Sequence, residues 1–420
     1  MMNGSIRKLI LKYNLITSLY TSGIGIWSGT IYLYMEQIHY SYGQINLFLS
    51  IFWIVTFFAE LPSGILADSI GRMNTLILSC LVRSTGLLFL FFDWGNLTFL
   101  ILSAILTALG DSLYSGTASS WVVDTIQDIE PNFDLGRVFS RNTAICSFVS
   151  LITGFFGAQV LANINLSYPI LIGALLLLAV IPFAVRESKG EKRGIHLSDN
   201  IRFSDNLKER FHPFNDMLTG IKQLGKNKNL LAYMLAFLPI TLIVTGPFNQ
   251  WQLYFQNGVK TITVGNVLLG VNILGIVGAY LAKYLLQWKI KKVYMLMGLT
   301  TLNSICIILC VVFGNKLMAI LVFWMHILLS SSDEVSRYTV LHQKIRSDDR
   351  TTLVSLYNTL EAAVTVVALG INGILSDKYS IGFAWVALTV VGFLLAMVGY
   401  TIIASTSERT RKSEVQKEVN

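Results

Sequence analysis

Glu60-Leu61-Pro62-Ser63-Gly64-Ile65-Leu66-Ala67-Asp68-Ser69-Ile70-Gly71-Arg72 closes one long apolar run and opens another. A segment of about 20 mostly apolar residues is long enough to cross a bilayer as a helix. The stretch therefore reads as a tight polar hairpin between two membrane helices. Glu60 stands about two helical turns before Asp68 and falls inside the membrane near the end of its helix. Pro62 loosens the helix there. Gly64 removes a side chain and lets a neighbouring helix come close. Asp68 ends the span, Gly71 permits a sharp turn, and Arg72 opens the next helix within reach of Asp68.

Composition widens this reading to the whole chain. The 420 residues are 53% hydrophobic and only 13% charged, with a mean hydropathy of +0.60. Soluble domains carry about 25% charged residues, so the chain is expected to be an all-α integral membrane protein. A net charge of +8 and a pI near 9.2 would suggest nucleic acid for a soluble protein. Here the excess Lys and Arg fits the basic cytoplasmic loops of membrane proteins, and no nucleic-acid partner is expected. Cys80, Cys146, Cys306 and Cys310 lie inside apolar runs, and the five histidines are scattered. Neither set has the spacing of a metal site, and the cysteines read as small apolar side chains. The short basic start, Met1 to Lys12, is followed by a run long enough to span, and no cleavable signal is read there.

By length, twelve spans are expected, near 12–35, 44–67, 74–94, 97–123, 138–161, 166–185, 229–255, 264–288, 293–313, 317–341, 351–375 and 381–404. Ten basic residues lie from Arg186 to Lys228. Others precede the first span (Arg7, Lys8, Lys12), follow the eighth (Lys289, Lys291, Lys292) and follow the last (Arg409, Arg411, Lys412, Lys417). The positive-inside rule then puts both termini and the central loop in the cytoplasm. The chain divides into a six-helix bundle over 1–186, a cytoplasmic linker over 187–228, a second six-helix bundle over 229–405 and a tail over 406–420. Within the linker, Phe214, Leu218, Ile221 and Leu224 follow Pro213 at helical spacing, the pattern of a short amphipathic helix on the membrane surface. A faint repeat links the halves. Ser-Gly-Thr-Ala-Ser-Ser (115–120) and Gly136-Arg137-Val138 in the first have counterparts in Ser330-Ser331-Ser332-Asp333 and Arg350-Thr351-Thr352 in the second. Repeated six-helix halves with a site between them are a transporter architecture.

With the spans counted, the hairpin resembles the signature of the major facilitator superfamily, Gly-x-x-x-Asp-(Arg/Lys)-x-Gly-(Arg/Lys)-(Arg/Lys), in the loop between the second and third helices. Here it stands as Gly64-Ile65-Leu66-Ala67-Asp68-Ser69-Ile70-Gly71-Arg72-Met73. Ser69 and Met73 depart where the family has a base. The Glu-x-Pro upstream resembles a bacterial drug-efflux subgroup. The resemblance implies two pseudo-symmetric six-helix bundles and alternating access. It also implies a conformational latch of Gly64, Asp68, Gly71, Arg72, Asp124 and Arg350. Asp68 would face the positive N-terminal end of the eleventh helix at Arg350, and Arg72 would pair with Asp124, or else with Asp128. The Arg motif of drug exporters in the fourth helix and their Gly-Pro motif in the fifth are absent.

Ionisable residues inside spans cost roughly 2.5–3.5 kcal/mol each on insertion scales, so each is a functional candidate. Glu60, Asp111 and Glu361 stand alone and are the candidates for carrying a proton, Asp111 and Glu60 first. Internal salt bridges, with Arg83 or Arg141 as partners, are the alternative. Asp333, Glu334 and Arg337 read as a paired gating group, since Arg337 is four residues from one acid and three from the other. Trp27, Tyr357 and Asn358 are candidates for the substrate cavity. No phosphate-binding glycine loop with Lys-Ser/Thr is present, so ATP is not the expected energy source. No cofactor, metal or enzymatic nucleophile is expected. The expected activity is proton-coupled export of small amphipathic compounds such as antibiotics, by a monomer in the bacterial plasma membrane. The alternatives are an uptake symporter for a small metabolite and a non-transporting sensor of the same fold.

Overall fold

The computed structural model describes residues 4–188, 228–256, 263–345 and 350–419, and among these it holds α-helices and no strand. The helices group into two compact units. The first contains α1 (Gly4–Ser28), α2 (Ile31–Gln37), α3 (Tyr42–Ile70), α4 (Arg72–Phe91), α5 (Leu97–Tyr114), α6 (Thr117–Ile129), α7 (Leu135–Phe156), α8 (Ala162–Ile164) and α9 (Tyr168–Ser188). The second contains α10 (Lys228–Phe255), α12 (Lys292–Val312), α13 (Lys316–Lys344), α14 (Arg350–Lys378) and α15 (Ile381–Val419). The helix α11 (Val264–Leu285) begins in the first unit and continues in the second from Gly270. The expected amphipathic helix from Pro213 to Leu224 lies outside the described residues.

Among the described residues, eleven segments are long and apolar enough to cross a membrane. The expected first span has no counterpart among them. Its residues divide at Gly29-Thr30 into α1 and the short α2. Helix α1 also begins early enough to carry Arg7, Lys8 and Lys12, and its middle is rich in Asn, Thr and Ser. The expected fourth span is kinked into α5 and α6 at Gly116, where φ is 72°. Large apolar side chains such as Phe58, Val312, Ile374 and Leu394 stand exposed on the helices. In water such surface would be a liability, whereas lipid accepts it.

Helix α4 organises the first unit, packing against α3, α5, α6 and α9, with Leu76, Cys80, Leu87 and Leu90 fully buried. It meets α5 at very short range, because Gly110 sits against the Arg83 backbone. A Cβ on Gly110 would lie 2.5 Å from the Arg83 Cβ and 2.8 Å from its amide nitrogen. The hairpin between α3 and α4 is a single residue, Gly71, with φ 96° and ψ 152°, a conformation that side-chain-bearing residues rarely adopt. In the second unit α10 packs along α15 and against α14. Met234, Phe237, Leu296, Tyr357 and Tyr400 form part of its core.

Candidate functional site

Arg72 holds the hairpin together. Its Nη2 lies 2.8 Å from Asp68 Oδ1, across the Gly71 turn, and its Nε lies 3.7 Å from Asp124 Oδ2 on α6. All three side chains are partly exposed, so each pair contributes about 0–1 kcal/mol. Gly64 differs from expectation. A Cβ there would meet nothing within 4 Å among the described residues, so no close helix approach is seen at that position in its own unit. Arg350 opens α14, but its side chain lies outside the described residues.

Deeper in the first unit, Arg83 of α4 pairs with Asp111 of α5. Its Nη1 also donates to the Tyr20 hydroxyl at 2.9 Å. Ser79 stands 3.4 Å from that hydroxyl and donates to the Gly110 carbonyl at 2.6 Å. The Tyr20 ring stacks on Tyr114, with centroids 3.5 Å apart and planes 4° off parallel. Asp111 is therefore not solitary. Its partner is Arg83, while Arg141 is exposed on α7. Glu60 is exposed on α3, and its backbone carbonyl accepts from the Ser63 hydroxyl at 2.7 Å. Trp27 turns its indole toward α9, where Gly173 leaves room for it.

Next to the Tyr20–Tyr114 stack the first unit carries a half-open cavity of about 320 Å³ between α1, α5, α6 and α7. One wall is tied together by Asn142, whose Nδ2 donates to Asn14 Oδ1 at 3.0 Å and to Thr17 Oγ1 at 2.6 Å.

In the second unit Arg337 is the hub. Its Nε donates to Asp333 Oδ2 at 2.9 Å, one turn back on α13. Its Nη1 reaches the Tyr357 hydroxyl at 3.4 Å and lies 3.9 Å from Glu361 Oε1, both on α14. Glu361 Oε2 accepts from the Tyr338 hydroxyl at 3.1 Å, and Asn358 Oδ1 lies 3.2 Å from the same hydroxyl. One phenolic proton thus serves two acceptors. Of the two pairings open to Arg337 along its own helix, the one with Asp333 forms. The one with Glu334 does not, because the guanidinium turns toward α14. Glu334 is exposed instead, lining an open cavity of about 710 Å³ between α11 and α13 with Tyr338 and His342. Tyr357 is 1% exposed and engaged with Arg337, whereas Asn358 is exposed.

Tyr20, Tyr338 and the Asn14–Thr17–Asn142 group escaped the sequence reading. Each looks like an ordinary helical residue until its partner on another helix is known. A second buried acid, Asp93, also escaped. It lies in the loop after α4, accepts from the Tyr40 hydroxyl at 2.5 Å and from the Gly95 and Asn96 amides at 3.0 and 2.8 Å.

The family model described as Major Facilitator Superfamily matches residues 14–369. The chain is 23% identical to "Uncharacterized MFS-type transporter YxaM" of Bacillus subtilis (strain 168), over 94% of this chain and 96% of that protein. Among solved structures it resembles a bacterial homologue of the iron transporter ferroportin in an inward-facing state. The TM-score is 0.70 at 14% identity, covering 94% of this chain and 98% of the other. It also resembles the nucleoside transporter NupG, with TM-score 0.66 at 12% identity, covering 94% and 98%. At such identities these likenesses are of fold.

Proposed function

Because the chain belongs to the Major Facilitator Superfamily and is a multi-pass membrane transporter rather than an enzyme, we propose that it exports small amphipathic compounds, antibiotics among them, in exchange for protons. Twelve membrane crossings in two pseudo-symmetric bundles over 1–186 and 229–405, joined by the 187–228 linker, complete this reading. So do cytoplasmic termini and a monomer in a bacterial plasma membrane.

One observation carries the proton coupling. In the second unit a single guanidinium, Arg337, faces two carboxylates, Asp333 and Glu361. One negative charge is left over within membrane-spanning helices, where an uncompensated charge is costly. A proton removes that cost. Asp333 is tied closely to Arg337, while Glu361 lies farther off on another helix and accepts from a neutral phenol. Glu361 is therefore the favoured proton carrier. The Arg83 pair already compensates Asp111, and Glu60 has no buried position. In this reading Asp68, Arg72 and Asp124 act as a latch on one conformational state. An intact latch pair supports transport over a sensor role.

The test compares cells with and without the protein for resistance to a panel of antibiotics and dyes, each with and without a protonophore. Resistance abolished by the protonophore is expected. Resistance that survives it counts against proton exchange. No change for any compound would favour the second reading, uptake of a metabolite in symport, which the polar lining beside α1 also supports.

A further inference from the structure

We propose that the transported molecule is held in the cavity between α1, α5, α6 and α7 through an uncharged, hydrogen-bonding group, a hydroxyl cluster or an amide, and not through a positive charge. The inference rests on the transporter reading and sharpens its substrate class.

Among the described residues the cavity is lined by hydroxyl and amide side chains, including Thr17, Thr21, Tyr114, Asn142, Thr143 and Ser147, and by no carboxylate, Lys, Arg or His. Its volume, about 320 Å³, lies at the lower end of the roughly 300–1,000 Å³ of small-molecule sites. Hydroxyls both donate and accept, so they can satisfy a neutral polar group from several directions. An organic cation would give up part of its water for a half-open site with no counter-charge, an unfavourable exchange that a neutral polar group does not face. Charges close to the lining do not change this: Arg141, beside Asn142 on α7, is exposed and is itself a base. Asp111 lies one turn before Tyr114 on α5, but its charge is cancelled by Arg83, and that pair is tied to the cavity wall through Tyr20 stacked on Tyr114. Asn142 is already braced by Asn14 and Thr17, so that part of the wall needs little ordering on binding. Tyr114 adds a ring face for the apolar part of an amphipathic molecule.

Cys146 lines the same cavity and is half-buried, whereas Cys80 and Cys310 are buried elsewhere. This gives a direct readout. The full chain is purified with Cys80, Cys306 and Cys310 replaced by Ala, and alkylation of Cys146 by N-ethylmaleimide is timed. Uridine, N-acetylglucosamine, ethidium or tetraphenylphosphonium is present in turn. At least one of the two neutral solutes should slow alkylation by about threefold or more at the highest concentration used, which corresponds to about two-thirds occupancy or greater where the bound solute blocks the thiol. The cations should not, and the Thr143→Val/Ser147→Ala pair should weaken the protection. Protection by a cation equal to or greater than that by the neutral solutes overturns the proposal, and so does protection by none of the four. Glu361→Gln separates the two readings. If it leaves Cys146 protection intact while transport of the protecting solute shows no dependence on a pH gradient in either form, proton coupling fails and the substrate class stands. If only cations protect, the class fails and coupling is untouched.

Discussion

Arg83 and Asp111 form an ion pair across the α4–α5 interface in which the base is buried and the acid is partly open, their side chains 6% and 38% exposed. The two ends of the pair are therefore unequal. Asp111→Asn leaves a buried guanidinium without its counter-charge, a loss on the order of 3–5 kcal/mol. Arg83→Gln leaves a carboxylate that can still be hydrated, and costs less. Thermal unfolding of the purified variants should rank them in that order. A larger loss from Arg83→Gln would show that the pair is not held as described.

The α4–α5 contact makes a second demand. Gly110→Ala would place a methyl group 2.5 Å from the Arg83 Cβ and 2.8 Å from its backbone nitrogen. Overpacking of this kind costs about 1–3 kcal/mol, and here the obstacle is backbone, which has no rotamer to yield. The same thermal measurement should show the loss, with Gly298→Ala as a control, since nothing lies within 4 Å of that position.

In the second unit the two acids around Arg337 should separate in their effects. Asp333→Asn removes the close partner of a buried base and should lower stability by about 3–5 kcal/mol. Glu361→Gln should leave the fold intact and abolish transport driven by a proton gradient while sparing exchange of substrate for substrate. Proteoliposomes with an imposed pH gradient would distinguish the two. Gradient-driven transport at the normal rate in Glu361→Gln would remove Glu361 as the proton carrier.

At the hairpin the expected result is functional rather than energetic. Asp68→Asn breaks a half-exposed pair with Arg72 and should change stability by no more than about 1 kcal/mol. Transport should fall sharply at unchanged membrane abundance, judged by immunoblot beside the resistance assay. Normal resistance in that variant would leave Asp68 only its role in the turn.

The Tyr40–Asp93 contact joins the loop before α3 to the loop after α4. Tyr40→Phe withdraws one of three donors from a fully buried carboxylate, a loss of about 1–3 kcal/mol. Burial first, and the neighbouring Asp93 second, push the Tyr40 phenol above its ordinary value of 10.0. Only the protonated phenol can donate. Its contribution is therefore complete below pH 10 and falls away as the pH rises beyond it. A melting curve taken against pH should show the Tyr40→Phe variant converging on the parent in that alkaline range only.

Much of the layout was legible in the residues because membrane crossing is a local property. Each span must satisfy its own backbone hydrogen bonds and bury its own apolar length, and both requirements can be read one segment at a time. The first span is the instructive exception. Its polar middle, Asn14, Thr17 and Thr21, lowers its hydropathy because those side chains face a cavity and Asn142 rather than lipid.

The order of residues alone is enough to establish a helical membrane protein, a hairpin whose sharp turn Gly71 permits, and Asp68 and Arg72 within reach of each other. Separation of four residues and the conformational freedom of glycine suffice for these. Tertiary structure alone decided which intramembrane acids have partners. Asp111 looked solitary until α4 brought Arg83 beside it, and Glu361 until α13 brought Arg337 and Tyr338. Whether Arg337 would choose Asp333 or Glu334 was likewise undecided along one helix, where both spacings are allowed. The neighbouring α14 resolved it by drawing the guanidinium to one side. Charge compensation in a membrane is a matter of a few ångströms between helices, and no pattern along a single helix records it.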